Sequence, residues 1–229
     1  MDKPVIFADS MLKRDSAYSY VCNACNRCCH NYLIRVNPYE VLRLAQFLKL
    51  STTDFIEQYV ASETALIHKE DDTCVFLGPQ GCSVHPARPL VCRVYPLGRH
   101  ISGSGEEGFF RMEPHPLTEG IYGNKGTVAD YLNSQGAMPY LEAADRYLSV
   151  FHRYYQVAAE LPKDEWSTST AAETALPELL NPERAVAGLA SRNGRSNLDP
   201  DAAMALHIEV LEVWLTQFQS EENTNGQED

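Results

Sequence analysis

A mostly α fold carrying a small α+β cysteine-rich module is what the sequence predicts, on three observations. All seven cysteines fall within residues 22–92. Two segments after residue 137 repeat apolar residues at helical spacing. Between them and the first cysteines, "DTCVFLGPQGCSVHPARPLVCRVYPLG" is turn-rich, with Gly and Pro around each cysteine.

The first twenty residues read as an irregular lead-in, and "YLIRVN" (32–37) as a short strand. "PYEVLRLAQFLKL" starts a helix at Pro38, with Val41, Leu44, Ala45 and Leu48 at helical spacing. "STTDFIEQYV" gives a second helix with Ser51 as N-cap and Asp54 three residues on. "GPQG" predicts a hairpin turn that brings Cys74 and Cys82 together on neighbouring strands. "PARPLVCR" holds one helical turn before Pro96, and "FFRME" reads as a strand. Residues 138–161 place Leu141, Ala144, Leu148, Phe151, Tyr155 and Ala158 on one stripe. The aromatic run of Tyr147, Phe151, Tyr154 and Tyr155 reads as core rather than a substrate cage. Residues 161–183 form a linker with short helical pieces. The last helix begins with Asp199 as N-cap and Pro200 at the first helical position, burying Leu206, Val210, Leu211, Trp214 and Phe218. The expected organisation is a cysteine module over 18–115, a helical part over 116–219, and a disordered acidic tail over 220–229.

Composition narrows the function. A formal net charge of −12 disfavours nucleic acid and anionic membranes as partners, because both need a basic face. No apolar run has the ~20 residues of a membrane span, and no export signal is visible, so the expected location is cytoplasmic. "GSGEEG" (103–108) fits a dinucleotide fingerprint by letter only, because a strand follows where a helix should open and Glu106 and Glu107 repel phosphate. It reads as a hairpin loop. Neither GxSxG, HExxH nor a P-loop occurs, so hydrolase and NTPase readings lack support.

The chemistry lies in the cysteines. A reducing compartment disfavours disulfides, and an odd count leaves one thiol over. Clustering points instead to metal ligation. Cys22, Cys25 and Cys28 are spaced as two successive C-x2-C steps, the pattern of three-cysteine runs that hold an iron–sulfur cluster with a remote fourth ligand. Cys29 follows directly, and adjacent side chains diverge, so it turns to another site or bridges metals. Cys74, Cys82 and Cys92, with His85 as a further candidate ligand, supply remote partners. Seven thiols exceed the four of one tetrahedral zinc or one cubane, and soft sulfur donors favour zinc or iron–sulfur over hard cations. Neither block is complete alone, so one composite centre is expected rather than two. Arg88 and Arg93 flank Cys92 and would offset thiolate charge from outside the ligand set. His30 and His100 read as polar surface residues.

"CNACNRCC" followed by "CVFLGPQGCSVHPARPLVCRVYP" resembles the YkgJ-type cysteine-cluster family, a zinc- or iron-chelating domain, over residues 20–100. The matching positions are Cys22, Cys25, Cys28 and Cys29, then Cys74, Phe76 and Leu77, then Cys82, Val84, His85, Arg88, Pro89, Cys92, Arg93, Tyr95 and Pro96. His85 stands where the family more usually has tyrosine. A similar cysteine cluster in bacterial flagellin lysine-N-methylase implies an iron–sulfur cofactor and protein-modifying chemistry. The leading expectation is therefore a metal-binding protein, iron–sulfur in preference to zinc, acting in redox chemistry or on a protein substrate. The alternatives are a structural zinc module that binds a protein partner, and a metal-trafficking protein. No general base or substrate is evident, and whether the chain is an enzyme is left open.

Overall fold

The computed structural model describes residues 11–61, 64–113, 115–160, 180–193 and 198–225, with no side-chain description for 155, 157–160, 188–193 and 217–225. In chain order these residues form β1 (Ala17–Val21), α1 (Pro38–Leu48), α2 (Thr52–Tyr59), β2 (Val60–Ala61), β3 (Ala65–Leu66), β4 (Leu77–Gly78) and β5 (Gly81–Cys82). There follow α3 (Leu90–Val94), β6 (Leu97–Ile101), β7 (Glu107–Arg111), β8 (Ile121–Thr127), α4 (Val128–Ser134), α5 (Met138–Glu160), α6 (Pro182–Asn193) and α7 (Pro200–Asn225). Two compact units interleave along the chain: Met1–Ile34 with Ile67–Pro139, and Arg35–Leu66 with Tyr140–Asp229.

The expectation of a mostly α fold is not met. Helix takes 47% and strand 21% of the described residues, the strands lying in small antiparallel sheets. Each sheet has two strands: β1 with β8, β2 with β3, β4 with β5, and β6 with β7. The sequence hides β1 and β8 because neither alternates cleanly; "IYGNKGT" is glycine-rich and mostly exposed, and its partner lies a hundred residues away. Conversely, residues 32–37 alternate Leu33 out, Ile34 in, Arg35 out and Val36 in, yet form no strand. A single bridge, Arg35 to Ala65, is all the pairing that stretch finds.

In the unit containing Arg35–Leu66, α1 opens on a capping box: Asn37 Oδ1 accepts from Glu40 N–H at 3.0 Å while Glu40 accepts from Asn37 N–H at 2.8 Å. Ser51 caps α2 as its sequence implies. A second clamp on α2 comes from α6, where Glu183 accepts from Thr52 N–H and Asn181 accepts from the Thr52 hydroxyl. Along α5 the buried stripe is Tyr140, Leu141, Ala143, Tyr147, Val150 and Tyr154, a rotation away from the stripe read in the sequence; Leu148 is 50% exposed. A buried tyrosine ring is tolerated where its hydroxyl finds a polar partner. Tyr147 Oη, for example, meets Nδ1 of the fully buried His207 at 2.9 Å. On α7 the buried residues are Ala203, Met204, His207, Ile208, Leu211 and Leu215, with Leu206, Val210 and Trp214 half-buried. Asp199 caps α7, its Oδ1 accepting from Asp201 and Ala202 N–H. Residues 220–225, expected in a disordered tail, continue α7 instead; the expected contributions of Tyr155, Ala158 and Phe218, most of the linker, and residues 226–229 lie outside the described residues. Among those described, no helix is long and apolar enough to cross a membrane.

The other unit is built from β1–β8, β4–β5, β6–β7, α3 and α4. "GSGEEG" joins β6 to β7 as a hairpin loop, as expected. A tyrosine cluster fills the space between β1, β8 and α4: Tyr18 and Tyr20 meet Tyr131 and Tyr122 edge-on at 5.0–6.3 Å. Tyr95 joins this group through Tyr20 and Tyr32.

Candidate metal centre

The first cysteine block leaves β1 and runs irregularly to a 3-10 turn at Arg27–Cys29. Ala24 (φ 54°) and Asn26 (φ 60°) are left-handed, so the chain turns twice between Cys22 and Cys28. The second block places Cys74 before the β4–β5 hairpin and Cys82 at its end, opposite Leu77. Ser83 N–H to Phe76 O at 2.9 Å closes that hairpin. After a turn at His85–Ala87, α3 carries Cys92.

Backbone bonds join the two blocks. Cys74 N–H donates to Cys29 O at 2.9 Å, Asn31 N–H donates to Asp72 O at 3.1 Å, and His30 bridges Thr73. Asn26 adds a side-chain contact at Gly81 (φ 100°), where a Cβ would lie 3.4 Å from Asn26 Oδ1; glycine meets both the left-handed backbone and the close approach.

Several sulfurs also receive a backbone N–H from two residues on. Cys22 Sγ accepts from Ala24 N–H at 3.4 Å, and Cys25, Cys74 and Cys82 accept from Arg27, Phe76 and Val84. Such donors stabilise thiolate over thiol. Cys28 and Cys29 are hydrogen-bonded to each other; that bond, with Arg88 nearby, holds Cys28 below the ordinary thiol range. The same bond, burial and the charges of Cys28, Cys82 and Cys92 push Cys29 well above it. Burial raises Cys74 and Cys82, and both also feel the charge of Cys28. Cys28, Cys29, Cys74, Cys82 and Cys92 therefore form one electrostatic group drawn from both blocks. Cys22 and Cys25 lie beside Tyr20, which feels the charge of each.

Residues 21–114 match a family model, CxxCxxCC, described as a "Putative zinc- or iron-chelating domain". That match takes in the whole cysteine-bearing stretch, Cys22 to Cys92. No curated protein and no solved structure matches the chain.

Within the CxxCxxCC domain the two arginines have different duties. Arg88 lies near Cys28, Cys82 and Cys92, and its Nη2 donates to Gln135 Oε1 at 2.9 Å while Nη1 donates to His85 O at 2.8 Å. Arg93 is 6% exposed and donates to three carbonyls, Arg88 O, Gln135 O and Pro86 O. It braces the loop that aims Arg88. His85 sits against Arg88, Nδ1 to Nη1 at 3.4 Å; burial and the charges of Arg88 and Arg93 lower its pKa, which favours a neutral imidazole. His30 has its Nδ1 3.1 Å from Asn26 O, and His100 is exposed on β6.

As a metal site this donor set fits zinc or iron in its chemistry: soft sulfurs, N–H groups aimed at sulfur, and a guanidinium to offset charge. It is not closed in geometry. Among the described residues, no three cysteine, histidine or carboxylate side chains meet at the spacing of a metal site. Closure would require half-buried thiols to rotate toward a common point. Sequence reasoning missed Gln135, which orients Arg88, His68, which bridges Cys74, and Thr118, which donates to Cys25. Thr118 and Gln135 reach the module through the pairing of β1 with β8 and through α4, which no local motif announces. His68 stands six residues before Cys74 and pairs with it across an isolated backbone bridge.

Proposed function

We propose that the CxxCxxCC domain binds an iron–sulfur cluster through thiols of both cysteine blocks, in a reducing compartment, and serves electron transfer or the modification of a protein substrate. One observation carries this reading: the Cys74 N–H to Cys29 O bond joins two incomplete blocks at the point where five thiols share one electrostatic environment. Five sulfurs exceed the four that one tetrahedral zinc or one cubane uses, so the count alone favours neither. Cys28 and Cys29 are adjacent and hydrogen-bonded to each other, an arrangement suited to a polynuclear centre rather than to one ion. A cluster would supply one-electron chemistry. The chain's own contribution is to gather the thiolates, donate N–H groups to them, and hold Arg88 against their charge.

Anaerobic purification followed by iron, zinc and acid-labile sulfide analysis tests the proposal. Stoichiometric iron and sulfide, with visible absorption that bleaches on reduction, is the expected result. Stoichiometric zinc without colour would replace the cluster with a structural or carried zinc ion, and no metal at all would remove both readings.

A further inference from the structure

Among the described residues five buried side-chain polar atoms have no hydrogen-bond partner, and two of them lie in the loops of the cysteine module: Nε of Arg27 and Oη of Tyr95. A buried donor left without an acceptor costs free energy, so each calls for an explanation. Arg27 stands between Cys25 and Cys28 and opens the 3-10 turn, which left-handed Asn26 precedes and the Cys29 N–H to Asn26 O bond of 3.0 Å closes. Tyr95 follows α3 directly, three residues after Cys92. Its N–H donates to Val91 O at 3.2 Å, and its carbonyl accepts from the Tyr131 hydroxyl. With the backbone so held, the Tyr95 ring packs edge-on to Tyr20 at 6.4 Å and to Tyr32 at 6.1 Å. Tyr20 precedes Cys22 by two residues and Tyr32 follows Cys29 by three. One donor therefore sits inside the first cysteine block, and the other sits where that block's two ends meet the end of the second.

Sulfur is the acceptor that this region concentrates. No sulfur is within hydrogen-bond distance of either donor, just as no three candidate ligands meet at the spacing of a metal site. One change answers both observations: the rotation that closes the thiols on a metal also brings sulfur toward the two donors. Packing alone does not call for the Tyr95 hydroxyl, since phenylalanine fills the same space without an unpaired polar atom. We propose that Arg27 and Tyr95 are positioning residues of the metal centre. In the loaded protein the Arg27 Nε–H and the Tyr95 hydroxyl donate to its sulfurs, which tightens metal binding and favours the more reduced, more negative form of a cluster. This rests on the metal-binding reading and adds to it two residues whose hydrogen-bond partner is the bound centre. Tyr18 supplies the contrast: its hydroxyl is also buried and unpartnered, but its ring packs on Tyr131 of α4 at 5.1 Å and under Arg111 of β7.

Wild type, Tyr95→Phe, Arg27→Lys and Tyr18→Phe are purified anaerobically and measured for metal content, for metal retention against a chelator and, where iron is present, for midpoint potential. Phenylalanine keeps each ring, and lysine keeps the charge while removing Nε–H. Retention should be about tenfold weaker or more in Tyr95→Phe and in Arg27→Lys. For an iron–sulfur centre the midpoint potential should also become more negative than in the wild type, because a donor that favours the reduced form is gone. Tyr18→Phe should match the wild type in both. Wild-type retention and potential in Tyr95→Phe and Arg27→Lys would overturn the proposal and leave the metal reading standing. Equal losses in Tyr18→Phe would overturn the role of Tyr95, because the effect would then belong to the tyrosine packing. A loss in one of the two variants alone assigns the role to that residue and removes it from the other. With zinc in place of iron, retention decides. A wild type without metal refutes the metal reading and this proposal together, so metal content, measured first, tells the two failures apart.

Discussion

In the helical unit, Leu42, Leu44, Phe55, Tyr140, Leu141, Tyr147 and Leu215 are each at most 2% exposed. Across residues 21–33 of the cysteine module not one side chain is buried, and between 67 and 83 only Thr73 and Phe76 are. The first region is specified by what its side chains remove from water. The second is specified by backbone bonds between segments, such as Cys29 with Cys74 and Asn31 with Asp72, which in water stabilise by only about 1 kcal/mol each. A segment so poor in apolar burial needs another source of order, and the thiols of both blocks supply a place for one. The difference teaches where metal would matter: it should set the stability of residues 21–33 and 67–92 and leave the helical unit alone.

Metal removal is the strongest way to break that contrast. Stripping the purified protein with a chelator under reducing conditions should lower amide-exchange protection in residues 22–31 and 73–83 by roughly a hundredfold or more, because metal-binding free energy is folding free energy in such modules. Protection of α1, α5 and α7 should not change. Hydrogen exchange by mass spectrometry reads both regions in one experiment, and equal loss in both would end the distinction.

The complementary perturbation acts on the core. Leu44 is fully buried on α1, and Leu44→Ala should cost about 2–5 kcal/mol in the helical unit. Metal content should match the wild type. A variant that unfolds both units together, seen as one shifted melting transition with metal loss, would show that they are energetically one body.

The same contrast explains what the sequence revealed. Helices α1 and α2 and the start of α7 were legible from Pro38, Ser51–Asp54 and Asp199–Pro200, because helix-start chemistry is local. The CxxCxxCC domain was legible because its blocks carry spacing and order. What escaped was either rotational or long-range. On α5 Leu141, Tyr147 and Tyr154 are buried as read, but Tyr140, Ala143 and Val150 join them in place of Leu148, since helical periodicity fixes a stripe's width better than its phase. β1 and β8 became visible only as a pair, and with them came Thr118.

Arg88 and Arg93 sharpen the comparison inside the module. Arg88→Gln should weaken metal retention about 10–100-fold in chelator competition, because it removes the cation beside Cys28, Cys82 and Cys92. Arg93→Gln should instead lower stability by about 1–3 kcal/mol, because the part-buried carbonyls of Pro86, Arg88 and Gln135 lose their donor. Reversed effects in thermal melts and competition would exchange their roles.

The smallest expected effect concerns Glu107, at the start of β7. Its carboxylate bonds Arg14 Nε at 2.5 Å and Arg99 Nε at 2.7 Å, tying the segment before β1 to the β6–β7 hairpin. Burial alone would raise its pKa, but the hydrogen bonds and charges of Arg14 and Arg99 outweigh burial and bring it below the ordinary 4.5. A folded pKa below the unfolded one means that the folded state releases this proton more readily. The stabilisation is therefore complete above about pH 4.5 and is lost as pH falls through the lower folded value. Arg14 is 40% exposed, so solvent screens part of the pair and the contribution should be about 1 kcal/mol. Glu107→Gln should be less stable than the wild type by that amount near neutrality, and the gap should close on acidification, a difference measured by paired melts from pH 7 to pH 3. A gap that stays constant through the acid range would mean that the carboxylate's charge contributes nothing to holding the lead-in segment on the hairpin.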